Sequence, residues 1–436
     1  GANNVLKSIL IENFKSYKKQ TLPLAPLTLM IGANASGKSN ALEAFRFLSW
    51  LSQGQKLTVL KHRVDDSEQV LRGQLKDLGY LDSTEFTLGC QTDDEDWNDY
   101  QVSICIREQE LHICQEQILG KTKTVPLYQI KQAATGLNSD VLVAYNNFLS
   151  GQHKPTITCT DQIAILTQLE TPAVFSHAKS RDVIPKTVKR FQKLLENTLF
   201  LDPVPSLMRG DSFPEKKLMG DCSNLSGVLY TLWQEEKIRP IIVTFIKSLP
   251  EQDVLNIEFY EDRRKKVALE LVESFGGNDR KWSVELLSDG TLRVLAIAAA
   301  LLSAPEGSTV VIEEVDNGVH PSRAKQLLQT MRQQAQQRNI NLLLTTHNPA
   351  LMDALPDEAL GDVVFCYRDA QQGDSRLVRL SDLDDYAGLV TQGPLGELVT
   401  QGVVDRFVKN PVSAEQKKQN ALDWLAQLQQ EEADDE

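Results

Sequence analysis

The beginning of the chain has an apolar pattern that predicts a strand, a loop and a helix in that order. Residues 27–31 form a short apolar run that ends at Gly32, as is typical of a buried strand before a turn. Residues 39–51 favour a helix, because apolar side chains recur there at helical spacing. These apolar positions are Leu42, Phe45, Phe47, Leu48 and Leu51.

The pattern changes several times further along the chain. Residues 84–126 alternate between apolar and polar positions and predict an antiparallel meander, whereas 127–249 favour helices separated by prolines. Strands are predicted at 254–260 and 267–274, and the strand–helix alternation that follows favours a mostly parallel α/β sheet. We therefore divide the chain into the first half of an α/β domain (1–126), a helical insertion or lid (127–250), the second half of that domain (251–370) and a C-terminal segment whose acidic tail we expect to be disordered (371–436).

Composition narrows the class of protein. Of the 436 residues, 41% are apolar and 24% are charged, which are ordinary values for a globular protein. The net charge of −13 argues against a surface that coats nucleic acid, although a local basic groove is compatible with it. The longest apolar stretch, 294–304, is too short to cross a bilayer, and six scattered cysteines favour neither zinc nor disulfides. We expect a cytoplasmic protein without a membrane partner.

Residues 32–39 match the P-loop pattern G-x-x-x-x-G-K-[ST]. Backbone N–H groups of such a loop wrap a β-phosphate, Lys38 reaches the β- and γ-phosphates, and the Ser39 hydroxyl binds Mg²⁺. A glycine-rich turn without function is the alternative, but the predicted strand before and helix after it favour a P-loop. The predicted ATP-binding residues are Gly32, Asn34, Ser36, Gly37, Lys38, Ser39 and Asn40.

A second apolar run, 310–312, is followed by two acids. In an α/β sheet, acids at the carboxyl end of a buried strand lie beside the phosphate loop. Glu313 is then the predicted Mg²⁺ ligand, and Glu314 the catalytic residue that orients or deprotonates the attacking water. Taken alone, two acids after a strand are more often an exposed turn, but the P-loop in the same chain favours the catalytic interpretation.

Two further segments are candidates for contact with phosphate. Residues 286–293 precede an apolar helix, and Ser288 or Asp289 is a natural N-cap that leaves N–H groups facing outward. A capped helix with no further role is the alternative. His347 ends another apolar strand and could contact the γ-phosphate and sense its loss, although a lone histidine at a strand end is usually structural.

Together these motifs resemble the ABC-type ATPases of the SMC, RecF and OLD-nuclease group. The P-loop phrase G-x-N-x-S-G-K-S-N and the opening residues 11–17 are typical of that group. Residues 202–205, 221–225 and 393–398 look like landmarks of stand-alone AAA-family ATPases from bacterial anti-phage defence loci. The resemblance covers about residues 5–405. It implies an α/β fold: an ABC-type P-loop NTPase head, with a mixed sheet and an antiparallel meander, that carries a helical insertion.

The resemblance also implies a site shared by two copies of the chain. In this group two heads sandwich two ATP molecules, so a homo-oligomer is expected. The residues that one copy would present to the nucleotide of the other are Ser288, Asp289 and Gly290. Asn317 and His320 would line the seam between the copies, and His347 would be the switch histidine.

Two positions depart from the pattern of the group. Glu313 replaces a more usual Asp, a change common in the similar defence ATPases, so activity is still expected. The glutamine that normally contacts metal and water has one weak candidate, Gln74.

The implied reaction is hydrolysis of ATP to ADP and phosphate with Mg²⁺. About 70 residues follow Tyr367, with Asp382, Asp384 and Asp385 in a loop-like stretch, and we expect no nuclease among them. The leading hypothesis is a sensor or scaffold in anti-phage defence whose nuclease or toxin effector is a separate protein.

The alternative is a RecF-like repair ATPase that binds DNA directly. Lys15, Lys18, Lys19 and residues 263–266 offer basic clusters for that role. The motor subunit of a membrane transporter fits poorly, because the helical insertion is too large.

Overall fold

The computed structural model describes residues 4–60, 70–249, 254–409 and 414–434. The strands in these ranges are β1 (Leu6–Phe14), β2 (Tyr17–Pro23), β3 (Thr28–Ile31), β4 (Glu85–Thr92), β5 (Asp99–Arg107), β6 (Glu110–Leu119), β7 (Tyr128–Gln132), β8 (Asp140–Tyr145), β9 (Thr156–Thr160), β10 (Thr198–Leu201), β11 (Val254–Glu261), β12 (Val267–Phe275), β13 (Asn278–Ser283), β14 (Thr309–Ile312), β15 (Asn341–Thr345), β16 (Val364–Arg368) and β17 (Ser375–Arg379). The α-helices are α1 (Lys38–Ser52), α2 (Ala178–Glu196), α3 (Pro205–Met208), α4 (Leu225–Trp233), α5 (Arg239–Ile246), α6 (Asp289–Ser303), α7 (Pro321–Arg338), α8 (Pro349–Asp353), α9 (Asp357–Leu360), α10 (Tyr386–Val390), α11 (Leu395–Thr400), α12 (Val403–Lys409) and α13 (Ala414–Asp434).

An eight-stranded antiparallel sheet forms the first layer, in the order β2-β1-β4-β5-β6-β7-β8-β9. Apolar side chains of β1 such as Leu6, Ile9 and Phe14 are fully buried and belong to one hydrophobic core with side chains of α1 and α2. Burial of apolar surface between sheet and helices is the main stabilising contribution in such a layer. The sheet thereby supports the helix that follows the P-loop.

A six-stranded sheet carries the predicted site, in the order β10-β14-β15-β3-β16-β17. Its first five strands run parallel and β17 is antiparallel to β16. Every residue of β3, β14 and β15 is buried, because helices or other layers cover both faces of a parallel sheet. The carboxyl ends of these parallel strands lie at one edge, where the predicted loops emerge.

The third sheet, β11-β12-β13, packs with helices α4 to α6 in a second hydrophobic core. Helix α6 is buried along most of its length, which explains its nearly continuous apolar sequence. Ser288 is its N-cap, and the Ser288 Oγ accepts a hydrogen bond from the Thr291 N–H at 3.2 Å. The sequence-based choice between Ser288 and Asp289 is therefore resolved in favour of Ser288.

The predicted fold class is confirmed, since a mixed sheet bearing the P-loop lies beside an antiparallel meander. The prediction of helices from residue 127 onward was wrong for 128–160, where three strands extend the meander. The α-helices in the predicted insertion begin at α2. The predicted boundaries of the domains themselves stay a prediction. The acidic tail was also wrongly expected to be disordered, because α13 continues to Asp434; residues 435–436 lie outside the described residues. Within the described ranges, no helix has the length and apolar character needed to cross a membrane.

Candidate nucleotide-binding site

The loop between β3 and α1 has a backbone shape that demands glycine at two positions. Gly32 and Gly37 adopt φ values of 153° and 119°, in the left-handed half of conformational space. A methyl group on Gly32 would overlap the Cys366 carbonyl oxygen, and one on Gly37 would overlap the Ser375 hydroxyl. The glycines of the motif are thus fixed both by conformation and by close neighbours.

Side chains behind the loop bind its carbonyl groups. The Tyr17 hydroxyl donates to the Gly37 carbonyl at 2.8 Å, and the Ser375 hydroxyl donates to the Ser36 carbonyl at 2.6 Å. Tyr17 and Ser375 are fully buried, so these carbonyl groups point toward the protein interior. Successive N–H groups of a loop held in this way form a concave site for an anion.

A cavity of about 170 Å³ lies between the P-loop and the carboxyl ends of β14 and β15. Most of the predicted ATP-binding residues line it, together with both strand-end acids. The lining residues are Ala33, Asn34, Ala35, Gly37, Lys38, Ser39, Asn40, Leu42, Glu313, Glu314, Thr345, His347 and Arg368. Segments separated by about three hundred residues in sequence therefore meet around one cavity.

Lys38, His347 and Glu314 form a continuous row across this cavity. The Lys38 Nζ lies 3.1 Å from His347 Nδ1, and His347 Nε2 lies 3.0 Å from a Glu314 carboxylate oxygen. Because a lysine ammonium only donates and a carboxylate only accepts, this network assigns a neutral histidine with its proton on Nε2. The histidine then links the P-loop cation to the strand-end acid.

Burial lowers the pKa of Lys38, and the nearby Glu314 carboxylate partly opposes that shift. The Lys38 ammonium also donates to the Gly32 carbonyl at 2.5 Å, so two partners hold it at the mouth of the loop. A buried cation with replaceable partners is well suited to exchange them for phosphate oxygens.

Glu314 has an unusual backbone for a residue with a long side chain. Its φ is +50°, a left-handed conformation that costs about 1–3 kcal/mol outside glycine. The Glu314 N–H donates to the Thr345 hydroxyl at 3.0 Å, and Arg293 donates to the Glu314 carbonyl at 3.3 Å. These two hydrogen bonds hold the strained residue so that its carboxylate faces His347.

Magnesium fits the oxygen donors beside Lys38. The Ser39 hydroxyl and the Glu313 carboxylate line the same cavity, and Mg²⁺ prefers a few such hard oxygens together with phosphate and water. Across the described part of the chain, no group of three or more His, Cys, Asp or Glu side chains could hold a metal ion alone. Gln74 is exposed, begins a short 3₁₀ turn and lies outside the residues that line this cavity, so its metal role stays a prediction.

The residues predicted to face the nucleotide of a second copy, Ser288, Asp289 and Gly290, form a turn that we call the signature turn, and they lie outside the residues that line this cavity. Ser288 and Asp289 are exposed, and Ser288 lines a different cavity together with Trp282 and Leu286. Arg209 holds this turn by donating to the Leu287 carbonyl at 3.0 Å and to the Asp289 carboxylate at 2.5 Å. The exposed turn is therefore rigidly presented at the surface.

The predicted seam residues are also exposed. Asn317 lines a cavity of about 310 Å³ next to the P-loop, and His320 caps α7 by accepting the Ser322 N–H at 3.2 Å. The same cavity contains Arg46 and Asp202, which sequence reasoning did not place in a site. The available signal was that Asp202 directly follows a short apolar run, as Glu313 does.

A P-loop at the carboxyl edge of a parallel sheet, with two strand-end acids beside it, is the arrangement found in P-loop nucleotide-binding proteins. Two family models agree with this class: "AAA ATPase domain" matches residues 5–204, and "AAA domain, putative AbiEii toxin, Type IV TA system" matches residues 194–353. Over these two ranges the chain is similar to AAA ATPase domains.

Individual proteins are similar to this chain over segments of different length. An ATP/GTP phosphatase of Helicobacter pylori is 22% identical over 371 residues, covering 84% of this chain and 90% of that protein. The DNA replication and repair protein RecF of a Cyanothece species is 43% identical over 70 residues, covering 16% of this chain and 17% of that protein. Among solved structures, an SMC head bound to the C-terminal winged-helix domain of ScpA has a TM-score of 0.49 at 12% identity, covering 86% of this chain and 97% of that one.

Proposed function

We propose that this chain binds Mg-ATP and hydrolyses it to ADP and phosphate. The observation that supports this best is the row Lys38–His347–Glu314 across a cavity bounded by the P-loop. It combines a phosphate-binding cation, a histidine with a defined proton and a carboxylate at the end of a buried strand. The Helicobacter pylori relative, named as an ATP/GTP phosphatase, supports the same chemistry.

Each side chain has a separate task in the proposed reaction. Phosphate oxygens would replace the Gly32 carbonyl and the His347 ring as partners of the Lys38 ammonium. Glu314 then accepts the proton of the attacking water, while the His347 Nε2–H keeps the carboxylate in place. Ser39 and Glu313 are the residues that would hold magnesium, which supplies charge neutralisation for the phosphates when bound.

We also propose that two copies of the chain come together around two nucleotides. The signature turn at Ser288 and Asp289 lies at the surface, away from the cavity that Lys38 lines in the same chain. A second copy could bring its own exposed helix N-terminus to the γ-phosphate, where N–H groups and the helix dipole favour negative charge. Leu286, which is 69% exposed, would then be covered as part of the interface.

As the biological role, we favour ATP-driven pairing that senses or scaffolds a separate toxin or nuclease in anti-phage defence. The family model over residues 194–353 carries the words AbiEii toxin and Type IV TA system, which support a toxin-linked role. A net charge of −13 also favours a protein partner over extended contact with nucleic acid.

A RecF-like function in DNA repair is the second candidate. The 70-residue match to RecF supports it, as do Lys18 and Lys19, which are exposed on β2. Arg263 and Arg264 form another exposed basic turn between β11 and β12. Duplex DNA binding that falls steeply with salt would favour this candidate over the toxin-linked one.

The substitution Glu314→Gln tests the proposed reaction. Glutamine keeps the shape of the side chain but cannot take a proton, so phosphate release should fall by roughly 10²–10⁴-fold while ATP binding persists. Sedimentation velocity with ATP should then show the variant as a dimer. Glu306→Gln, an exposed acid before β14, is the matched control and should keep the native rate.

Native turnover in Glu314→Gln would show that the assigned base is wrong. A variant that binds ATP but stays monomeric would contradict the two-copy arrangement.

A further inference from the structure

Asp202 lies at the same sheet edge as the strand-end acids. Strands β10 and β14 are parallel neighbours, and Leu201 pairs with Ile312. The next residue of each strand is an acid, Asp202 on one and Glu313 on the other. Because parallel neighbours lie about 4.8 Å apart, two residues in matching register leave the sheet side by side.

Both acids face one cavity with the P-loop. The cavity of about 310 Å³ is lined by Ser39 from the P-loop, by Asp202, and by Glu313 and Glu314. Asp202 is exposed to this space, so its carboxylate is free to meet a ligand there. Oxygen ligands and water are the usual surroundings of Mg²⁺.

Arg46 provides a cation in the same cavity as the two carboxylates. It lies seven residues after Ser39 on α1, on the same face of the helix, and its guanidinium is 4.7 Å from the centre of the Phe200 ring. Burial lowers the pKa of Arg46, and the Glu313 and Asp202 carboxylates oppose that shift. Both carboxylates therefore act electrostatically on Arg46, which is consistent with their position in one cavity.

The backbone around Asp202 is fixed on both sides. The Asp202 N–H donates to the Gly220 carbonyl at 2.9 Å, and the Val204 N–H donates to the Asp221 carbonyl at 3.1 Å. Pro203 restricts the backbone between these two hydrogen bonds. The Asp202 side chain therefore leaves the end of β10 from a backbone that is held in place.

We propose that Asp202 is a positioning residue of the magnesium–nucleotide site, where its carboxylate accepts hydrogen bonds from metal-bound water beside Glu313. This inference rests on the proposed ATPase function. It assigns to Asp202 the role of contacting water at the metal, for which the sequence offered only Gln74. In this arrangement the second carboxylate acts on metal-bound water rather than on the metal directly.

The test measures metal affinity separately from activity. Mn²⁺ replaces magnesium as a paramagnetic probe, and its dissociation constant is measured by electron paramagnetic resonance on the full chain with a non-hydrolysable ATP analogue. We expect Asp202→Asn to weaken Mn²⁺ about tenfold, the lower end of effects seen when partners of metal-bound groups are removed. Nucleotide affinity in EDTA should stay within twofold of wild type, since the phosphate-binding loop is untouched.

Asp211→Asn is the matched control, because Asp211 is an exposed acid of the following segment outside the cavity. It should bind Mn²⁺ like wild type, and equal melting temperatures would exclude misfolding of either variant. If Asp202→Asn also binds Mn²⁺ like wild type, the inference is wrong while the ATPase function stands. If wild type itself binds no nucleotide, both proposals are overturned together.

Discussion

Gly290 and Gly318 are in direct backbone contact. A methyl group on Gly290 would lie 2.6 Å from the Gly318 carbonyl oxygen, and one on Gly318 would lie 2.5 Å from the Gly290 Cα. Gly290 is in the first turn of α6, and Gly318 is in the loop that follows the strand-end acids. The exposed signature turn and the loop after the strand-end acids therefore form one packed unit within the chain.

Replacing Gly290 with alanine should disturb this unit without touching the P-loop. The added carbon meets backbone rather than a flexible side chain, so we expect about 1–3 kcal/mol of destabilisation. ATP-dependent pairing should weaken in sedimentation velocity, while ATP affinity stays near the wild-type value. Gly210→Ala, which meets nothing within 4 Å, is the control. Unchanged pairing in Gly290→Ala would show that the contact does not matter for assembly.

Lys38→Ala should weaken ATP binding by about 10–100-fold. Hydrogen bonds between a charged donor and an anion contribute about 1.5–3 kcal/mol each, and 1.4 kcal/mol corresponds to tenfold in affinity. Titration calorimetry with Mg-ATP measures the loss directly. Lys56→Ala removes an exposed lysine beyond α1 and serves as the comparison. Equal affinity of Lys38→Ala and wild type would rule out the P-loop as the phosphate site.

Thr345→Val should slow hydrolysis more than it affects binding. The Thr345 hydroxyl accepts the N–H of Glu314, whose left-handed backbone depends on such fixation. Valine keeps the volume but not the acceptor, so we expect kcat to fall about tenfold, equivalent to a loss of about 1.4 kcal/mol, with little change in KM. Thr345→Ser restores the hydroxyl and should recover most of the rate. Failure of serine to do so would show that the methyl group matters instead.

Stability should depend on pH through Glu116, which is fully buried on β6. Its two carboxyl oxygens accept the N–H groups of Ile165 and Leu166 at 2.8 and 2.7 Å, and Tyr128 donates at 2.5 Å. Burial nevertheless raises the pKa of Glu116 to about 7. A folded-state pKa above that of the unfolded chain means that this group's contribution is complete below pH 4.5 and is lost as pH rises toward 7.

The comparison of wild type with Glu116→Gln isolates this effect, since glutamine does not titrate. Between pH 5 and pH 8, the unfolding free energy of wild type should fall by about 3 kcal/mol relative to the variant. Urea denaturation at both pH values provides the measurement. Parallel curves for the two proteins would show that the three hydrogen bonds keep the carboxylate ionised throughout.

The parts of the site that lie close together in sequence were predictable. The P-loop needs fixed spacing of Gly32, Gly37 and Lys38 because its backbone wraps an anion, and Ser288 has the chemistry of an N-cap. Asp202 and Arg46 could not be placed in the same way. Asp202 lies beside Glu313 because β10 pairs with β14, whereas Arg46 comes from α1 and contacts Phe200 of β10. No local pattern specifies either of these long-range contacts.

The strands at 128–160 were missed for a related reason. Residues of β7 and β9 show mixed burial rather than clean alternation, as expected at the end of a large sheet. Because several prolines lie between 155 and 214, a helical segment interrupted by breaks was the simpler interpretation of the sequence. Strands β7 and β9 both pair with β8, and this pairing, which the local pattern does not show, places them in the sheet.

Strand β3 lies between β15 and β16, so the P-loop acquires its neighbours only when distant parts of the chain arrive. Lys38 and His347 are 309 positions apart. At synthesis rates of about 5–20 residues per second, a ribosome needs roughly 15–60 s to add that length. Throughout this interval the nascent chain carries a complete P-loop sequence on a strand without partners. The sheet around the P-loop is thus completed only after β15 and β16 have been synthesised, and until then the N–H and C=O groups at both edges of β3 lack their strand partners.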